Sequence, residues 1–429
     1  MRYKKWQILV FLCCVTMVLS SCDPNLLDQR KDQEIVDGAL AVDNVDENHD
    51  WQLSTTKTLM VDVSGVENVE RIQVFSGNPL ESDLASIVGE AYVSDASVVS
   101  MSITYPNLEE MLYAAAIDDD DNYTVAPFDP SAPDVADVVN FSHPIANKKK
   151  MPYSYLPQSY TYLYEEEYPE DGDYDYNDVA VHISIERSAL REVRINVELA
   201  AVGASEQLAF AIRLVGYRFS DIESVTTVDE ASFDVVGGVE FPDQMRTVMI
   251  DKKDLLLYGL GEEAVLNIFA DAHWATADKL NADDGVMTRK KYNVSRTKDE
   301  TFSTFIPRKI TYVVTIKEGA DVINLSLGQL DPFAIVEYNG ANWEIHTPSY
   351  NNSQVLFPYP GVTIKTLPWA FCVPDGSFHW PLHAVPIGSR HQGARSGAYH
   401  AFDHSFGEWA EDMTKCKDWY LYPDKDEVY

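Results

Sequence analysis

The sequence predicts an all-β protein with an N-terminal immunoglobulin-like β-sandwich, followed by a larger β-sandwich domain with a short C-terminal helix. Three observations lead to this prediction. The 429 residues exceed what one hydrophobic core usually holds. Hydrophobic residues make up 45% of the chain, enough to build a sizeable core. Most apolar segments have strand length or alternate in hydrophobicity, and turn-forming residues separate them.

The chain begins with a segment typical of an export signal. Three basic residues precede an apolar run, Ile8 to Leu19, that is too short to span a ~30 Å hydrocarbon layer comfortably. The run ends in Leu19-Ser20-Ser21-Cys22, which resembles the bacterial lipobox, whose cysteine receives diacylglycerol. We therefore expect residues 1–21 to be a lipoprotein signal peptide and Cys22 to be the lipid attachment site. An ordinary secretory signal is the alternative.

A lipid anchor predicts that the protein resides in the cell envelope of a Gram-negative bacterium, at the outer membrane or the cell surface. The acid at Asp23 leaves the membrane leaflet open. The formal net charge of -35 predicts no nucleic-acid partner, because polyanions would repel the chain. The excess carboxylates form either a solvated surface or a source of oxygen ligands for calcium.

The first domain follows an acidic linker over residues 22–50 and covers residues 51–125. It is predicted from four segments of strand length with turn-rich breaks between them. These segments are Lys57 to Val63, Glu70 to Phe75, Ser97 to Ile103 and Met111 to Ile117.

Residues 126–158 contain five prolines and no sustained hydrophobic period, which predicts a Pro-rich linker. The second domain then covers residues 159–429. Its predicted strands are Val179 to Glu186, Glu192 to Ala200, Leu208 to Val215, Ala264 to Phe269, Lys309 to Ile316 and Ala334 to Glu337. A helix is predicted where Phe402, Phe406, Trp409 and Met413 recur at helical spacing, and we expect it to pack on the sheet.

Two cysteines, Cys372 and Cys416, remain in the body after the signal peptide and the lipid attachment site are set aside. An even pair in an oxidising compartment predicts a disulfide between them. Two free buried thiols are the alternative.

The most distinctive stretch is Glu165 to Asp178, EEEYPEDGDYDYND, in which acidic residues predominate. In an extended chain Asp171, Asp173, Asp175 and Asn177 would point to one face, where they repel each other unless a cation binds among them. With Asp178 they form the predicted calcium site, although the spacing does not fit an EF-hand. A turn-capping acidic loop and a catalytic carboxylate pair are the alternatives.

The segment DGDYDYNDVAVHISIE also resembles the opening of the LruC domain, whose members carry a D-x-D-Y/F-N-D-h motif at this point. Later blocks fit the same family in order: Ala201 to Leu214, Asn267 to Trp274, Asp331 to Pro348, Leu367 to Pro381, Phe406 to Trp409, and Asp418 to Tyr420. The resemblance spans about residues 160–422. It implies a β-rich domain of a bacterial lipoprotein or secreted protein without an assigned enzymatic activity.

Histidines cluster near the C-terminus, in a stretch that departs from the LruC pattern. His400 and His404 could chelate zinc or copper from a helix, with His379, His383 or His391 as a third ligand, but surface or packing histidines are the alternative. Several tryptophans could stack on sugars or belong to the core: Trp343, Trp369, Trp380, Trp409 and Trp419.

No nucleophile elbow or H-E-x-x-H metal motif is present in the sequence. We therefore expect a non-catalytic, lipid-anchored envelope protein, stabilised by calcium, that acts in adhesion or in glycan or protein binding. A glycan-cleaving or envelope-remodelling hydrolase is one alternative. A purely structural envelope component is the other.

Overall fold

The structure is a computed structural model that describes residues 45–46, 48–94, 96–131, 138–168, 172–233, 235–236, 239–240, 254–276, 291–295, 308–320, 325–348, 356, 367–388 and 403–429. Strands account for 48% and helices for 9% of what it describes, which confirms the mostly-β prediction. Within these ranges no helix is both long and apolar enough to cross a membrane.

The first unit is built from eight strands of the described chain. They are β1 Ser54–Asp62, β2 Val69–Ser76, β3 Ser86–Tyr92, β4 Val98–Pro106, β5 Leu112–Asp118, β6 Tyr123–Phe128, β7 Val138–Asn140 and β8 Ala146–Lys149. One sheet has the order β4-β1-β7 and the other the order β3-β2-β5-β6-β8. The pairing of β1 with β7 is parallel, and the other pairings are antiparallel.

The two sheets of the first unit share one hydrophobic core. In β1 the buried Leu59 and Val61 alternate with the exposed Thr58 and Met60, so one face of the strand is covered. Side chains from both sheets belong to this core cluster. The sheets have three and five strands, whereas an immunoglobulin constant domain has four and three. The immunoglobulin-like classification is therefore not shown.

The segment predicted as a Pro-rich linker, residues 126–158, instead contributes to the first unit. β7 and β8 both lie in it and pair with strands of the two sheets. Phe141 is 7% exposed and joins the core between the sheets. The prolines interrupt hydrophobic periodicity without preventing these short edge pairings, which explains why the sequence pattern missed them.

Among the residues that the structure describes, the second unit contains the remaining strands and two short helices. The strands are β9 Ser159–Tyr164, β10 Val179–Ala189, β11 Glu192–Ala201, β12 Leu208–Arg218, β13 Ile222–Thr227, β14 Val235–Val236, β15 Val239–Glu240, β16 Leu256–Tyr258, β17 Glu263–Phe269, β18 Arg308–Ile316, β19 Leu330–Tyr338, β20 Ala341–His346 and β21 Ala370–Val373. The helices are α1 Ala272–Thr276 and α2 Phe406–Glu411. All the strands predicted from hydrophobicity in this unit are confirmed.

Two large sheets of the second unit share its main core. Their strand orders are β13-β18-β11-β10-β9-β21 and β16-β17-β12-β19-β20. Buried side chains from both sheets form one cluster. The opposite face of the six-stranded sheet carries a second cluster, to which β9 contributes Leu163 and α2 contributes Phe406 and Trp409. The helix therefore packs on the sheet, although it is shorter than the predicted periodicity suggests.

The chain preceding β1 lies against α2 rather than inside the first unit. Trp51 is 6% exposed and belongs to the same cluster as Phe406 and Trp409. The Asp46 amide donates to the Ala410 carbonyl at 3.2 Å, and His49 Nε2 lies 2.9 Å from the Trp409 carbonyl oxygen. The last residues of the predicted acidic linker thus contact the C-terminal part of the chain. The rest of that linker and Cys22 lie outside the described residues.

Further contacts join the two units directly. Ser102 Oγ and Ser326 Oγ are 2.8 Å apart in a buried position, and the Gly328 amide donates to Thr104 Oγ1 at 2.9 Å. Arg187 Nε donates to the Glu90 carbonyl at 3.0 Å. The bonds of Ser102 and Thr104 hold β4 of the first unit against the turn that precedes β19, and the bond of Arg187 joins β10 to β3.

The predicted disulfide between Cys372 and Cys416 is absent, because both residues are free thiols. Cys372 lies in β21, packs against the main core of the second unit and pairs with Tyr162 in the sheet. Cys416 packs against the cluster around α2, and its thiol donates to the Asp403 carbonyl at 3.2 Å. The two sulfurs therefore belong to different packing environments on opposite faces of a sheet.

Candidate metal centre

The acidic stretch forms the connection between β9 and β10. These strands pair antiparallel with Tyr164 opposite Val179, so the ends of the connection are held together. The Glu166 amide donates to Asp178 Oδ2 at 2.7 Å, and the Glu165 amide donates to the Trp369 carbonyl at 2.8 Å. Carboxylates that are distant in the sequence are thereby brought to one end of the hairpin.

The connection is not extended, contrary to the geometry expected from the sequence. Tyr174 and Tyr176 adopt the left-handed region with φ values of 55° and 52°. Successive acidic side chains therefore do not line one face. Asp171 lies outside the described residues.

Three of the predicted calcium ligands make hydrogen bonds that serve the local structure. Both oxygens of Asp175 accept backbone N–H groups, from Asn177 at 3.1 Å and from Ala384 at 2.7 Å. Asn177 Nδ2 donates to the Pro381 carbonyl at 3.0 Å, and Asp178 accepts from Glu166 as described above. The Asn177 amide bond to Asp175 matches the turn-capping alternative, whereas the bonds to Ala384 and Pro381 tie the connection to a distant part of the chain.

Asp173 belongs to a different group, with Glu165 and Glu167. One carboxylate oxygen from each of these three residues lies within 4.8 Å of the others. Glu165 Oε2, Glu167 Oε2 and Asp173 Oδ1 are buried and have no hydrogen-bond partner among the residues that the structure describes. Glu165 is only 1% exposed, so water cannot freely solvate its unpartnered oxygen.

Gly172 leaves the space into which these oxygens point. A Cβ added at this position would overlap Glu165 Oε2 and would lie 3.0 Å from Glu167 Oε2. The two oxygens therefore converge on the backbone of Gly172. Any other residue at this position would occupy part of the space in which a cation could bind.

The raised pKa values of Glu165, Glu167 and Asp173 show that nearby positive charge does not balance these three carboxylates. Burial raises the pKa of Glu165 well above its usual range, and the carboxylates of Asp173 and Glu167 raise it further. Burial, together with neighbouring acids, likewise raises the pKa of Glu167 to about 8. For Asp173 burial raises the pKa, and Lys291 opposes the shift without cancelling it. Each carboxylate is thus destabilised in its charged form.

A second buried acidic group in the same unit is neutralised by the chain itself. His346 lies between Asp331 and Glu344, with nitrogen-oxygen distances of 2.8 Å to each, and Arg213 Nε lies 3.0 Å from Asp331. Burial alone would lower the pKa of His346, but the two carboxylates outweigh burial and raise it. In the group of Glu165, Glu167 and Asp173 no such internal ion pair occurs within the described ranges.

The donor set fits a hard divalent cation such as calcium. Calcium prefers six to eight oxygen ligands, which carboxylates and water can supply together. Two neighbouring groups could also hold a metal, namely Asp173 with Asp175 and His383, and Glu166 with Glu167 and Asp178. In the latter group Glu166 already accepts backbone N–H groups from Ser205 and Glu206, both at 2.6 Å.

The histidines do not form a common site in the described part of the chain. His379 Nδ1 lies 2.8 Å from the Tyr429 carbonyl oxygen. His404 precedes α2 and pairs with Asp418 at 2.8 Å. His383 lies beside Asp175 and Lys291. His391 and His400 lie outside the described residues, so the predicted zinc or copper site stays a prediction.

Most of the tryptophans considered for sugar stacking belong to the core. Their exposed fractions are 8% for Trp369, 7% for Trp380, 1% for Trp409 and 0% for Trp419. Trp343 is partly buried and packs against Tyr168 with a ring-centroid distance of 5.6 Å. Burial therefore leaves four of the five indole rings with no face open for stacking.

The sequence reasoning did not select Glu165, Glu167 or Gly172. A signal was present, because Glu165 and Glu167 are two residues apart directly after a strand and therefore share a side of the chain. The sequence pattern does not contain the register of β9 on β10, and this register brings Asp173 close to Glu165 and Glu167.

Residues 188–420 match the profile of the protein family described as Domain of unknown function (DUF4842). This match covers more than half of the chain, which therefore belongs to that family. Among solved structures, the chain is similar to a putative lipoprotein from Bacteroides ovatus, with 14% identity and a TM-score of 0.47. The similarity covers 84% of this chain and 99% of that one. No curated protein matches the chain.

Replacing Gly172 with alanine is expected to destabilise the second unit. The new Cβ would displace the Glu165 carboxylate, and overpacking of this kind costs about 1–3 kcal/mol. Urea unfolding of the purified body measures the change. Gly65→Ala is the matched control, because a Cβ there meets nothing within 4 Å. Equal unfolding free energies for the two variants would contradict the described position of Glu165.

Proposed function

We propose that this chain is a lipid-anchored protein of the bacterial cell envelope that binds a glycan or a protein, and that calcium stabilises its second unit. The observation that carries the calcium proposal is the group of three unpartnered, buried carboxylate oxygens of Glu165, Glu167 and Asp173. The resemblance of Leu19-Ser20-Ser21-Cys22 to a lipobox supports the anchor. We also keep three expectations from the sequence as parts of this proposal: membership of the LruC family, an immunoglobulin-like first unit and a location at the outer membrane.

Burying the charged carboxylates of this group costs free energy that a bound cation would offset. Each buried carboxylate loses hydration that is worth several kcal/mol, and neighbouring anions add repulsion. A divalent cation between the three oxygens replaces both the missing hydration and the missing positive charge. Calcium is abundant outside cells, which is where the export signal directs the body.

A binding role is preferred over catalysis because of where the carboxylates lie. A hydrolase needs an acid and a base or nucleophile that substrate can reach across a cleft. Glu165 is 1% exposed at the start of the β9–β10 connection, and its unpartnered oxygen converges on the backbone of Gly172 instead of facing a second acid or base across a cleft. A new reducing end after incubation with envelope or host glycans would favour the hydrolase alternative, whereas binding without turnover would support the proposal.

The calcium proposal predicts a rise in melting temperature when calcium is added to the chelated, mature body. At 100 times the dissociation constant, calcium should raise the unfolding free energy by about 2.7 kcal/mol, or roughly 5–10 °C in melting temperature. Glu165→Gln/Asp173→Asn should abolish this rise. The double variant should also melt above the wild type in chelator, because it no longer buries two unpaired charges.

Asp119→Asn/Asp120→Asn is the control for the loss of two negative charges, since both residues are exposed on the first unit. It should retain the full calcium response. An identical melt with calcium and with chelator in the wild type would exclude a stabilising calcium site. A full response in Glu165→Gln/Asp173→Asn would place the site elsewhere.

The anchor proposal predicts that Cys22→Ala prevents lipid attachment in the native host. The wild type should incorporate labelled palmitate and fractionate with membranes, and Cys22→Ala should lose the label. Cys14→Ala, which changes a cysteine inside the apolar run, should keep it. A wild-type chain without label, or label retained by Cys22→Ala, would show that Cys22 is not the acceptor.

A further inference from the structure

A cleft of about 190 Å³ lies where the three-stranded sheet of the first unit meets the second unit. The first unit contributes residues of β1, of β4 and of the chain before β1. The second unit contributes β9, β21, the turn before β19 and the end of β20. The lining residues are Gln52, Ser54, Thr56, Thr104, Tyr160, Tyr162, Leu327, Gly328, Leu330, Thr347 and Cys372.

The lining of this cleft is uncharged and rich in hydroxyl groups. Charged residues make up 24% of the chain, and acids outnumber bases by 68 to 33, yet no lining residue carries a charge. Six of the lining residues bear a hydroxyl and one bears an amide. Such groups both donate and accept hydrogen bonds, whereas they cannot offset the charge of an ionic ligand.

One of the lining residues, Tyr160, carries a buried hydroxyl. Tyr160 is 1% exposed, and its hydroxyl makes only long or poorly aligned hydrogen bonds to the side chains of Ser54 and Gln158. Burial raises the pKa of Tyr160 well above its usual range, so this hydroxyl stays protonated and can donate. A buried hydroxyl without a partner is costly unless a ligand or water satisfies it.

Contacts within the first unit and between the two units fix one side of the cleft. Thr56 Oγ1 and Thr104 Oγ1 are 3.1 Å apart, and Thr104 also accepts the Gly328 amide at 2.9 Å. A Cβ on Gly328 would overlap Thr56 Oγ1, so glycine allows this close approach. The polar groups are therefore positioned before any ligand arrives, which reduces the entropic cost of binding.

We propose that this cleft binds one neutral sugar residue of a glycan through hydrogen bonds to its hydroxyl groups. A cavity needs about 10–15 Å³ to hold one water molecule, so the cleft of about 190 Å³ has room for several waters that a single sugar ring could displace. A neutral sugar ring presents hydroxyl groups around its edge and carries no charge, which matches a lining of hydroxyls and one amide. This inference rests on the proposed binding function and assigns it a ligand class and a location.

An array of neutral and acidic mono- and oligosaccharides, probed with the mature full-length body, tests the inference. We expect binding to neutral sugars, and titration calorimetry with the tightest-binding neutral sugar then compares variants. Tyr160→Phe removes one buried donor and should weaken binding five- to ten-fold. Gln52→Ala, at the half-buried rim where folding is not at risk, should weaken it several-fold.

Tyr153→Phe is the matched control, since this tyrosine is 40% exposed and does not line the cleft. It should bind like the wild type. No binding to any neutral sugar, or neutral-sugar binding that neither Tyr160→Phe nor Gln52→Ala weakens, would overturn the inference. In the second case the proposed glycan-binding function would stand, and the calcium response of the same samples reports on the metal site separately.

Discussion

The stability of the second unit is limited by the mutual repulsion of three carboxylates, those of Glu165, Glu167 and Asp173. The fold buries all three and leaves one oxygen of each without a partner. Elsewhere in the unit the chain neutralises its own buried acids, as His346 does between Asp331 and Glu344. At the β9–β10 connection the positive charge of Lys291 is not sufficient. A structure that removes three carboxylates from water in this way requires an external cation, or protons, to be stable at neutral pH.

Strand β9 links this group of carboxylates to the cleft between the units. β9 carries Tyr160 and Tyr162 into the cleft and ends immediately before Glu165. A cation that holds the end of β9 against the β10 side of the hairpin would also fix the tyrosines that line the cleft. The proposed calcium site and the proposed sugar site are distinct in position, but both include or adjoin β9, whose rigidity each would require.

The sequence predicted much of the fold and only part of the site. Strand positions followed from hydrophobic alternation, because one face of each strand must be buried. The short strands β7 and β8 escaped detection, since they are edge pairings within a Pro-rich segment. The even number of cysteines predicted a disulfide that the structure lacks. A count of cysteines contains no information on which face of a sheet each thiol occupies. The acidic stretch was recognised, yet its ligands depend on the β9–β10 register and on left-handed residues between the acids.

The most direct test of the calcium site is a crystal structure of the mature body grown with calcium, with the anomalous scattering of the ion measured. The account predicts one anomalous peak between Glu165, Glu167 and Asp173, beside Gly172, with calcium–oxygen distances of ~2.3–2.6 Å. The absence of a peak there at saturating calcium, with the three carboxylates protonated and hydrogen-bonded to one another, would contradict it.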